Sequence, residues 1–315
     1  MRIAFLGTPE FAVPSLEAVA GAGHEIAAVV CRPDRPSGRG LAAQQAPVAR
    51  AARARGLPLL QPEKVNAPES VEALRATRPE ILVVVAFGAI LKPALLTLAP
   101  RGAANVHGSL LPAYRGAAPI ARAIQAGESF TGITTMHLVE EMDAGDMILQ
   151  RCAGIGPDET SGELSARLAA IGAELLVETL RRLERGDAPR IAQDASRATF
   201  APRLEKEHGR IDWTLDAIAL HNFIRAMAPW PGAATHAGGR SLAVRRARPL
   251  DRLVRAGVAG GSILEVTRAG ALVVQTGEGA IALEEVQPEN RRAMTGAEFA
   301  RGARLGPGGR LGDAS

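Results

Sequence analysis

ILVVVA, at residues 81–86, is an unbroken apolar run rich in β-branched side chains. Such a run is typical of a central parallel strand that is covered on both of its faces. Parallel strands are joined by crossover connections, which are usually helices. This stretch therefore predicts an α/β domain built on a parallel sheet.

Short apolar runs and helical patterns alternate on both sides of this strand. Further strands are predicted at residues 3–6, 26–30, 103–107 and 132–138, and helices from residue 14 and at 46–55, 68–77, 117–126 and 161–185. The last helix has the strongest pattern, because leucines recur along it at helical spacing. The alternation predicts a doubly wound, mainly parallel sheet.

The pattern changes after residue 187. Residues 188–203 lack periodicity and are predicted to form a linker. Beyond the linker, apolar runs at 241–244, 261–266, 271–275 and 280–286 are separated by glycine-rich or charged turns. This pattern predicts a smaller, antiparallel β-domain over residues 204–315, barrel-like in form, after a first domain at 1–187. The glycine-rich tail, 304–313, is expected to fray.

Composition excludes several classes of protein. Hydrophobic residues make up 47% and charged residues 22% of the 315 residues, as in globular proteins. Cys31 and Cys152 are too few for a disulfide framework, which favours a reducing compartment. The apolar stretch at 81–91 is too short for a membrane span, and no signal peptide pattern fits residues 1–10. We expect a cytoplasmic protein with no membrane contact and no metal site.

Positive charge concentrates in the segment from residue 240 to residue 255. Six arginines lie there against one aspartate: Arg240, Arg245, Arg246, Arg248, Arg252 and Arg255, with Asp251. Such a cluster can neutralise the phosphates of a nucleic acid. A solvated surface strand explains the same pattern equally well.

Asn105 and His107 lie two residues apart at the end of a predicted strand. Their side chains point to the same face, at the carboxyl edge where open α/β sheets bind ligands. Asp143 follows the next predicted strand as one of four carboxylates at 140–146, a pattern of solvated turns unless one folds inward beside His107. Together an amide, an imidazole and a carboxylate suit addition to a carbonyl, because they can stabilise an oxyanion and move a proton.

Motifs of the competing enzyme classes are missing from the sequence. The turn GTPE at 7–10 follows the first strand but lacks the glycine pattern of dinucleotide-binding proteins. Neither a phosphate-binding P-loop nor a G-x-S-x-G nucleophile elbow occurs, and neither cysteine has a histidine nearby.

Several longer motifs resemble the folate-dependent formyltransferases. They are RIAFLGTPEFAVPSL at 2–16, RPDRPSGRG at 32–40, ILVVVAFGAIL at 81–91, NVHGSLLPAYRGAAPI at 105–120, MDAGDM at 142–147, GRIDW at 209–213 and IRAMAPWPGA at 224–233. The resemblance covers nearly the full length. It implies a Rossmann-like formyltransferase domain followed by an oligonucleotide-binding (OB-like) barrel that binds tRNA.

The same resemblance implies an activity. A formyl group passes from 10-formyltetrahydrofolate to the α-amino group of methionine on initiator tRNA. By motif position Asn105, His107 and Asp143 take the catalytic places. Asn105 and protonated His107 stabilise the oxyanion, and Asp143 is the counter-charge that orders the proton path. Neither a covalent enzyme intermediate nor a metal is implied.

The resemblance also implies binding residues. Folate contacts are expected from one loop, Ser109, Leu110, Leu111 and Pro112, and from one wall, Phe87, Gly88, Ile90 and Leu91. The tRNA contacts are expected from Arg35, Arg39, Arg245, Arg246 and Arg248. Related enzymes often place lysines after Gly-Arg-Gly, whereas LAAQQ follows here at 41–45, so the first insertion carries less charge. We expect the chain to act as a monomer.

Two alternative functions remain open at the level of sequence. A formyltransferase of a small amine, such as glycinamide ribonucleotide or a sugar nucleotide, needs no RNA-sized basic surface. A tRNA-binding protein with a decayed active site would not need all three polar residues.

Overall fold

The computed structural model describes residues 1–36, 43–250 and 257–312. The chain divides into two compact units. The first unit comprises Met1–Pro119, Phe130–Gly154 and Ser165–Pro202, and the second comprises Ile120–Ser129, Ile155–Leu164 and Arg203–Ser315. No described helix is long and apolar enough to cross a bilayer.

The first 185 residues contain most of the α/β elements. The strands are β1 (Arg2–Gly7), β2 (Glu25–Val30), β3 (Arg35–Pro36), β4 (Ala43–Gln44), β5 (Leu59–Leu60), β6 (Ile81–Val85), β7 (Ala103–His107), β8 (Phe130–His137) and β9 (Met147–Gly154). The helices are α1 (Val13–Gly21), α2 (Pro47–Ala54), α3 (Pro68–Ala76), α4 (Pro93–Leu96), α5 (Pro119–Gln125) and α6 (Ser161–Arg185). Proline occupies the first turn of α1, α2, α3 and α4, where its missing N–H has no helical partner to lose.

Seven of the described strands form one sheet in the order β5-β2-β1-β6-β7-β8-β9. The first five strands in this order, from β5 through β2, β1 and β6 to β7, are parallel. Strands β8 and β9 pair antiparallel at one edge. The prediction of a doubly wound, mainly parallel sheet is confirmed. Strand β9 was not predicted, because one face of this edge strand is exposed and polar residues interrupt its apolar pattern.

The core of the first unit includes a cluster on one face of this sheet. Strand β6 is buried throughout, as its composition predicts. Leu6, Val30 and Val84 lie in one row across β1, β2 and β6, and Asn105 continues that row on β7. The apolar row therefore ends in a polar side chain at the strand that also carries His107.

The second unit contains an antiparallel sheet. Its strands are β10 (Ala233–Ala237), β11 (Arg240–Leu250), β12 (Ile263–Val266), β13 (Leu272–Gln275), β14 (Ala280–Pro288) and β15 (Met294–Thr295), with helices α7 (Ala217–Ala226) and α8 (Gly296–Ala303). The described order is β10-β11-β14-β13-β12, with β15 pairing β14. This arrangement is consistent with the predicted small barrel-like domain.

The tail does not fray as expected. Leu311 is fully buried and its N–H donates to the carbonyl oxygen of Gly261 at 2.8 Å. Arg310 also forms a bridge with Ser262. The expectation rested on glycine content, and it missed that one apolar side chain anchors the segment in the core.

Candidate functional site

The end of β7 carries the two polar residues that the sequence singles out. Asn105 is 8% exposed and His107 is 5% exposed. Residues two apart on a strand share a face, so both side chains lie on the face that carries the apolar row. Among the described residues, the Asn105 amide has no hydrogen-bond partner, which leaves its NH₂ group available to an incoming oxygen.

The His107 ring contacts two different acceptors. Its Nε2 lies 2.9 Å from the carbonyl oxygen of Tyr114, and its Nδ1 lies 3.6 Å from Asp143 Oδ2. A carbonyl oxygen only accepts, so the proton on Nε2 is assigned by this partner. An unprotonated Nδ1 would then face a carboxylate with its lone pair. The Asp143 carboxylate therefore lies where it can act as a counter-charge to the imidazole.

Asp143 folds inward, while Glu140 and Glu141 are exposed. Its side chain is 14% exposed, and Oδ2 accepts the Gly116 N–H at 2.8 Å. Asp143 has a φ of 51°, in the left-handed region that non-glycine residues rarely adopt. Aspartate tolerates this conformation better than most residues do.

Gly116 has no room for a side chain. Its φ is 122°, and a Cβ there would lie 2.7 Å from the carbonyl oxygen of Ala201. The Gly116 N–H therefore approaches Asp143 from a tightly packed backbone. A larger residue would displace the donor that holds the carboxylate.

A clamp that sequence reasoning missed holds the backbone of Asp143. Gln193 Nε2 donates to the carbonyl oxygens of Asp143 and Gly145, each at 2.8 Å. Gln193 Oε1 accepts from Nε and Nη2 of Arg115 at 3.1 and 2.9 Å. Arg115 is buried and also reaches Glu141 at 3.5 Å. Gln193 lies in the predicted linker, where no periodic pattern draws attention to it.

The loop predicted to contact folate is held by internal hydrogen bonds. Ser109 is fully buried, and its hydroxyl donates to the carbonyl oxygen of Ala113 at 2.6 Å. Leu111 is buried, and its N–H donates to Thr134 Oγ1 at 3.1 Å. Leu110 and Pro112 are partly buried. The buried residues Ser109 and Leu111 therefore fix the conformation of the loop.

The predicted apolar wall divides into buried and exposed parts. Phe87 and Leu91 are buried and belong to the core cluster. Ile90 is 64% exposed, and Gly88 is exposed with a φ of 79°. Two apolar side chains that sequence reasoning missed, Val139 and Met142, are 44% and 54% exposed. Leu138, just before them, packs on the same core cluster. Exposed apolar groups on both loops suit a flat ring system.

The predicted tRNA-binding arginines lie in different surroundings. Arg39 lies outside the described residues, and Arg35 lies on β3, which pairs with β4. On β11, Arg245 donates to Gln287 Oε1 at 2.6 Å. Arg246 and Arg248 reach Glu163 and Glu284 at 3.7 and 3.5 Å, and both arginines are largely exposed. Exposed pairs of this kind are weak, so both guanidinium groups remain available to phosphates.

A family model described as formyl transferase matches residues 1–180, and one described as formyl transferase, C-terminal domain, matches residues 203–304. The chain belongs to the formyl transferase family. The first match contains Asn105, His107 and Asp143, and the second contains β10 to β15. Within the described part of the chain, no three His, Cys, Asp or Glu residues are placed to hold a metal ion.

Curated relatives match the chain over nearly its whole length. A methionyl-tRNA formyltransferase of Solibacter usitatus (strain Ellin6076) is 50% identical over 313 residues and covers 99% of each chain. A methionyl-tRNA formyltransferase of Anaeromyxobacter dehalogenans (strain 2CP-1 / ATCC BAA-258) is 51% identical over 306 residues, covering 96% of this chain and 97% of the relative.

Solved structures share the fold at lower identity. HypX from Aquifex aeolicus, in complex with tetrahydrofolic acid, has a TM-score of 0.65 at 20% identity. The match covers 96% of this chain and 47% of the HypX chain. An N-formyltransferase from Helicobacter canadensis, in complex with folinic acid and dTDP-3-aminofucose, has a TM-score of 0.66 at 17% identity. It covers 91% of this chain and 98% of its own.

Proposed function

We propose that this chain transfers the formyl group of 10-formyltetrahydrofolate to the α-amino group of methionine on initiator tRNA. The product is N-formylmethionyl-tRNA, the aminoacyl-tRNA that begins translation. The observation that carries the proposal is the His107–Asp143 pair beside Asn105 at the carboxyl end of β7. The full-length relatives named methionyl-tRNA formyltransferase, with about half of their residues identical, support the choice of acceptor.

The reaction makes one bond and breaks another. The methionine nitrogen attacks the formyl carbon, an N–C bond forms, and the bond from that carbon to folate N10 breaks. The proton lost by the amine ends on N10. No enzyme nucleophile is needed, so the residues act by stabilising charge and directing protons.

Asn105 and His107 are assigned to the developing oxyanion. The Asn105 NH₂ group has no described protein acceptor, so it can donate to the formyl oxygen without breaking a hydrogen bond. Loss of one such donor typically lowers the rate by ~10²–10³-fold. Because Nε2 of His107 is committed to Tyr114, the second donor is Nδ1–H.

Asp143 is assigned to hold His107 protonated and to direct the proton path. The 3.6 Å separation of Nδ1 and Oδ2 exceeds the ~2.7–3.2 Å of an ordinary hydrogen bond. Nδ1–H is therefore not held in a short hydrogen bond to the carboxylate and can donate to a substrate oxygen. The carboxylate also accepts the Gly116 N–H, which keeps it in place during the transfer.

The folate is assigned to the loop and wall beside this pair. Leu110, Pro112, Gly88 and Ile90 offer partly or fully exposed surface there. Ser109, Leu111, Phe87 and Leu91 support that surface from within, and Val139 and Met142 join it. When bound, the folate supplies the formyl group; the protein supplies the apolar surface and the donors.

The second unit is assigned to tRNA binding. We place the catalytic domain at residues 1–187, a linker at 188–203 and an OB-like domain at 204–315, with Arg245, Arg246 and Arg248 towards the RNA and Arg35 and Arg39 in the first insertion. We further propose that the protein acts as a monomer. A tRNA substrate places it in the cytoplasm.

The test is a direct assay of the purified protein. With 10-formyltetrahydrofolate and methionyl-tRNA it should form N-formylmethionyl-tRNA. The assay should include a sugar-nucleotide amine and glycinamide ribonucleotide as competing acceptors. Faster transfer to either small amine, or no formylated tRNA, would refute the proposed acceptor.

A further inference from the structure

Arg32 lies just after β2 and points over the loop that follows β6. Its Nε is 3.8 Å from the position that a Cβ on Gly88 would occupy. The backbone of Arg32 makes two hydrogen bonds: its N–H donates to Thr8 Oγ1 at 3.4 Å, and its C=O accepts from Gln61 at 3.2 Å. Within the described residues its guanidinium has no hydrogen-bond or ion-pair partner, although the residue is partly buried.

The nearby acids are paired with other groups. Asp34 accepts from Gln61 at 2.9 Å and from the Ala46 N–H at 3.2 Å, and it pairs with Arg53 at 3.5 Å. Glu10 pairs with Arg50 at 3.3 Å. The segment 35–45 contains two more arginines and no acid. Among the described residues, no carboxylate therefore pairs with Arg32, and its guanidinium is available to an anion.

Arg32 is within reach of the proposed reaction centre. Thr8 Oγ1 donates to the carbonyl oxygen of Phe87 at 3.2 Å, which ties the ends of β1 and β6 together. Strand β6 is the neighbour of β7, which carries His107. Because neighbouring strands are ~4.8 Å apart, a guanidinium above Gly88 lies roughly 5–10 Å from the end of β7.

That distance matches the aminoacyl end of a tRNA. From the methionine nitrogen to the phosphate on the 5′ side of the terminal nucleotide, the path runs through the ester and the ribose. At ~1.5 Å per bond, this staggered path spans roughly 8–10 Å. A phosphate on a substrate whose amine lies at His107 is therefore within reach of Arg32.

We infer that Arg32 binds the phosphodiester on the 5′ side of the terminal nucleotide of the acceptor tRNA and thereby positions the methionyl amine. The inference rests on the proposed function, because it takes an aminoacyl-tRNA as the acceptor. A guanidinium suits this ligand, because its planar donors match two phosphate oxygens. This contact supplies positive charge for the phosphates, which related enzymes often obtain from lysines at the position of residues 41–45.

Two small acceptors test the inference directly. One is 2′(3′)-O-methionyladenosine, and the other is the same ester with a 5′-phosphate. In the wild-type protein the phosphate should raise kcat/KM by roughly 10–100-fold, as hydrogen bonds to a charged group allow. In Arg32→Gln the ratio of the two values should fall to about 1, because a neutral amide cannot neutralise the phosphate.

The matched control is Arg75→Gln. It removes one positive charge from an exposed ion pair with Glu72 on α3. This variant should keep the wild-type ratio. If the ratio of the two kcat/KM values fell equally in both variants, net charge rather than Arg32 itself would be responsible. That result would overturn the inference.

Methionyl-tRNA gives the second readout. When one phosphate of a single strand is no longer neutralised, the slope of log(kcat/KM) against log salt should fall by ~0.7 in Arg32→Gln. If the small esters are poor substrates, this salt dependence alone tests whether Arg32 neutralises a phosphate. An unchanged slope, or a raised KM for 10-formyltetrahydrofolate alone, would overturn the inference, the latter by assigning Arg32 to a folate carboxylate. A wild-type protein that does not formylate methionyl-tRNA would instead refute the proposed function.

Discussion

Each compact unit contains a buried histidine that faces an aspartate. His107 Nδ1 lies 3.6 Å from Asp143 Oδ2, and His221 Nε2 lies 3.3 Å from Asp158 Oδ1. The histidines are 5% and 8% exposed. Distance and burial of the ring therefore do not distinguish the two pairs.

The aspartates distinguish them. The side chain of Asp143 is 14% exposed and accepts a backbone N–H from Gly116. The side chain of Asp158 is 76% exposed. A fixed, partly desolvated carboxylate exerts a strong field on its neighbour, whereas a solvated one is screened by water.

The surroundings of the second histidine favour its neutral form. Burial, and then the charge of Arg225, lower the pKa of His221, and Asp158 only partly opposes them. Arg225 is buried and donates to Asn222 Oδ1 and to the carbonyl oxygens of Gly156 and Glu159. These contacts join α7 to the segment before α6. We therefore propose that the anchoring of the carboxylate, rather than its proximity to the ring, distinguishes the reactive pair.

The largest expected effect is that of His107→Gln. It removes the protonated donor, so kcat should fall by ~10²–10⁴-fold in the formylation of methionyl-tRNA. His221→Gln is the matched control and should keep nearly the wild-type kcat, because its ring contacts no proposed substrate. Comparable losses in the two variants, with both proteins folded by circular dichroism, would contradict the distinction between the two pairs.

Asn105→Ala should have the next largest effect. Removal of one oxyanion donor is expected to lower kcat by ~10²–10³-fold with little change in KM for methionyl-tRNA. Steady-state kinetics with saturating folate measure both values. A raised KM at unchanged kcat would show that Asn105 binds the ground state and does not serve the oxyanion.

Gln193→Ala should lower kcat by roughly 10-fold. Gln193 contacts the backbone of Asp143, so its effect should pass through that carboxylate. In an Asp143→Asn background, the same substitution should therefore change kcat little, as coupled residues are non-additive. Additive losses in the double variant would assign Gln193 a purely structural role.

The arginines of β11 should have a smaller effect, confined to tRNA. In Arg246→Gln/Arg248→Gln, the slope of log affinity for tRNA against log salt should fall by about 1 for each phosphate that is no longer neutralised. The control Arg268→Gln/Arg301→Gln removes the same charge from other positions of the second unit. Equal slopes for both double variants would show that β11 is only a solvated strand.

The smallest effect concerns stability and leaves the rate unchanged. Because the pKa of His221 is lowered in the folded protein, the unfolded chain takes up this proton first as pH falls below ~6.5. Stability from this group is thus present above that pH and lost as pH falls through the folded pKa. His221→Asn should flatten this part of the denaturation profile. A profile as steep as that of the wild type would contradict the neutral state of His221.

Much of the fold follows from local pattern. The run at 81–86 predicts a buried parallel strand, and β6 is one, because a strand covered on both faces must be apolar throughout. Strand β9 escaped prediction because its exposed face carries polar residues, which hide an edge strand. The glycine-rich tail was expected to fray, but burial of Leu311 holds it against the second unit's core.

The site was predictable only in part. The end of a parallel strand pointed to Asn105 and His107, but the acidic run at 140–146 left the carboxylate undecided. The inward turn of Asp143 depends on contacts from Gly116 and Gln193, which are distant in sequence. Such contacts leave no periodic signal, so neither the clamp nor the position of Arg32 can be derived from pattern alone.

The most direct test of the central claim pairs Asp143→Asn with Asp158→Asn. Each change is nearly isosteric and removes one carboxylate that faces a buried histidine. Single-turnover formylation of methionyl-tRNA should be slower by ~10²–10⁴-fold in Asp143→Asn and unchanged in Asp158→Asn, with tRNA affinity retained in both. Near-normal transfer by Asp143→Asn, or equal losses in the two variants, would contradict the claim that the anchored carboxylate makes His107 the reactive histidine.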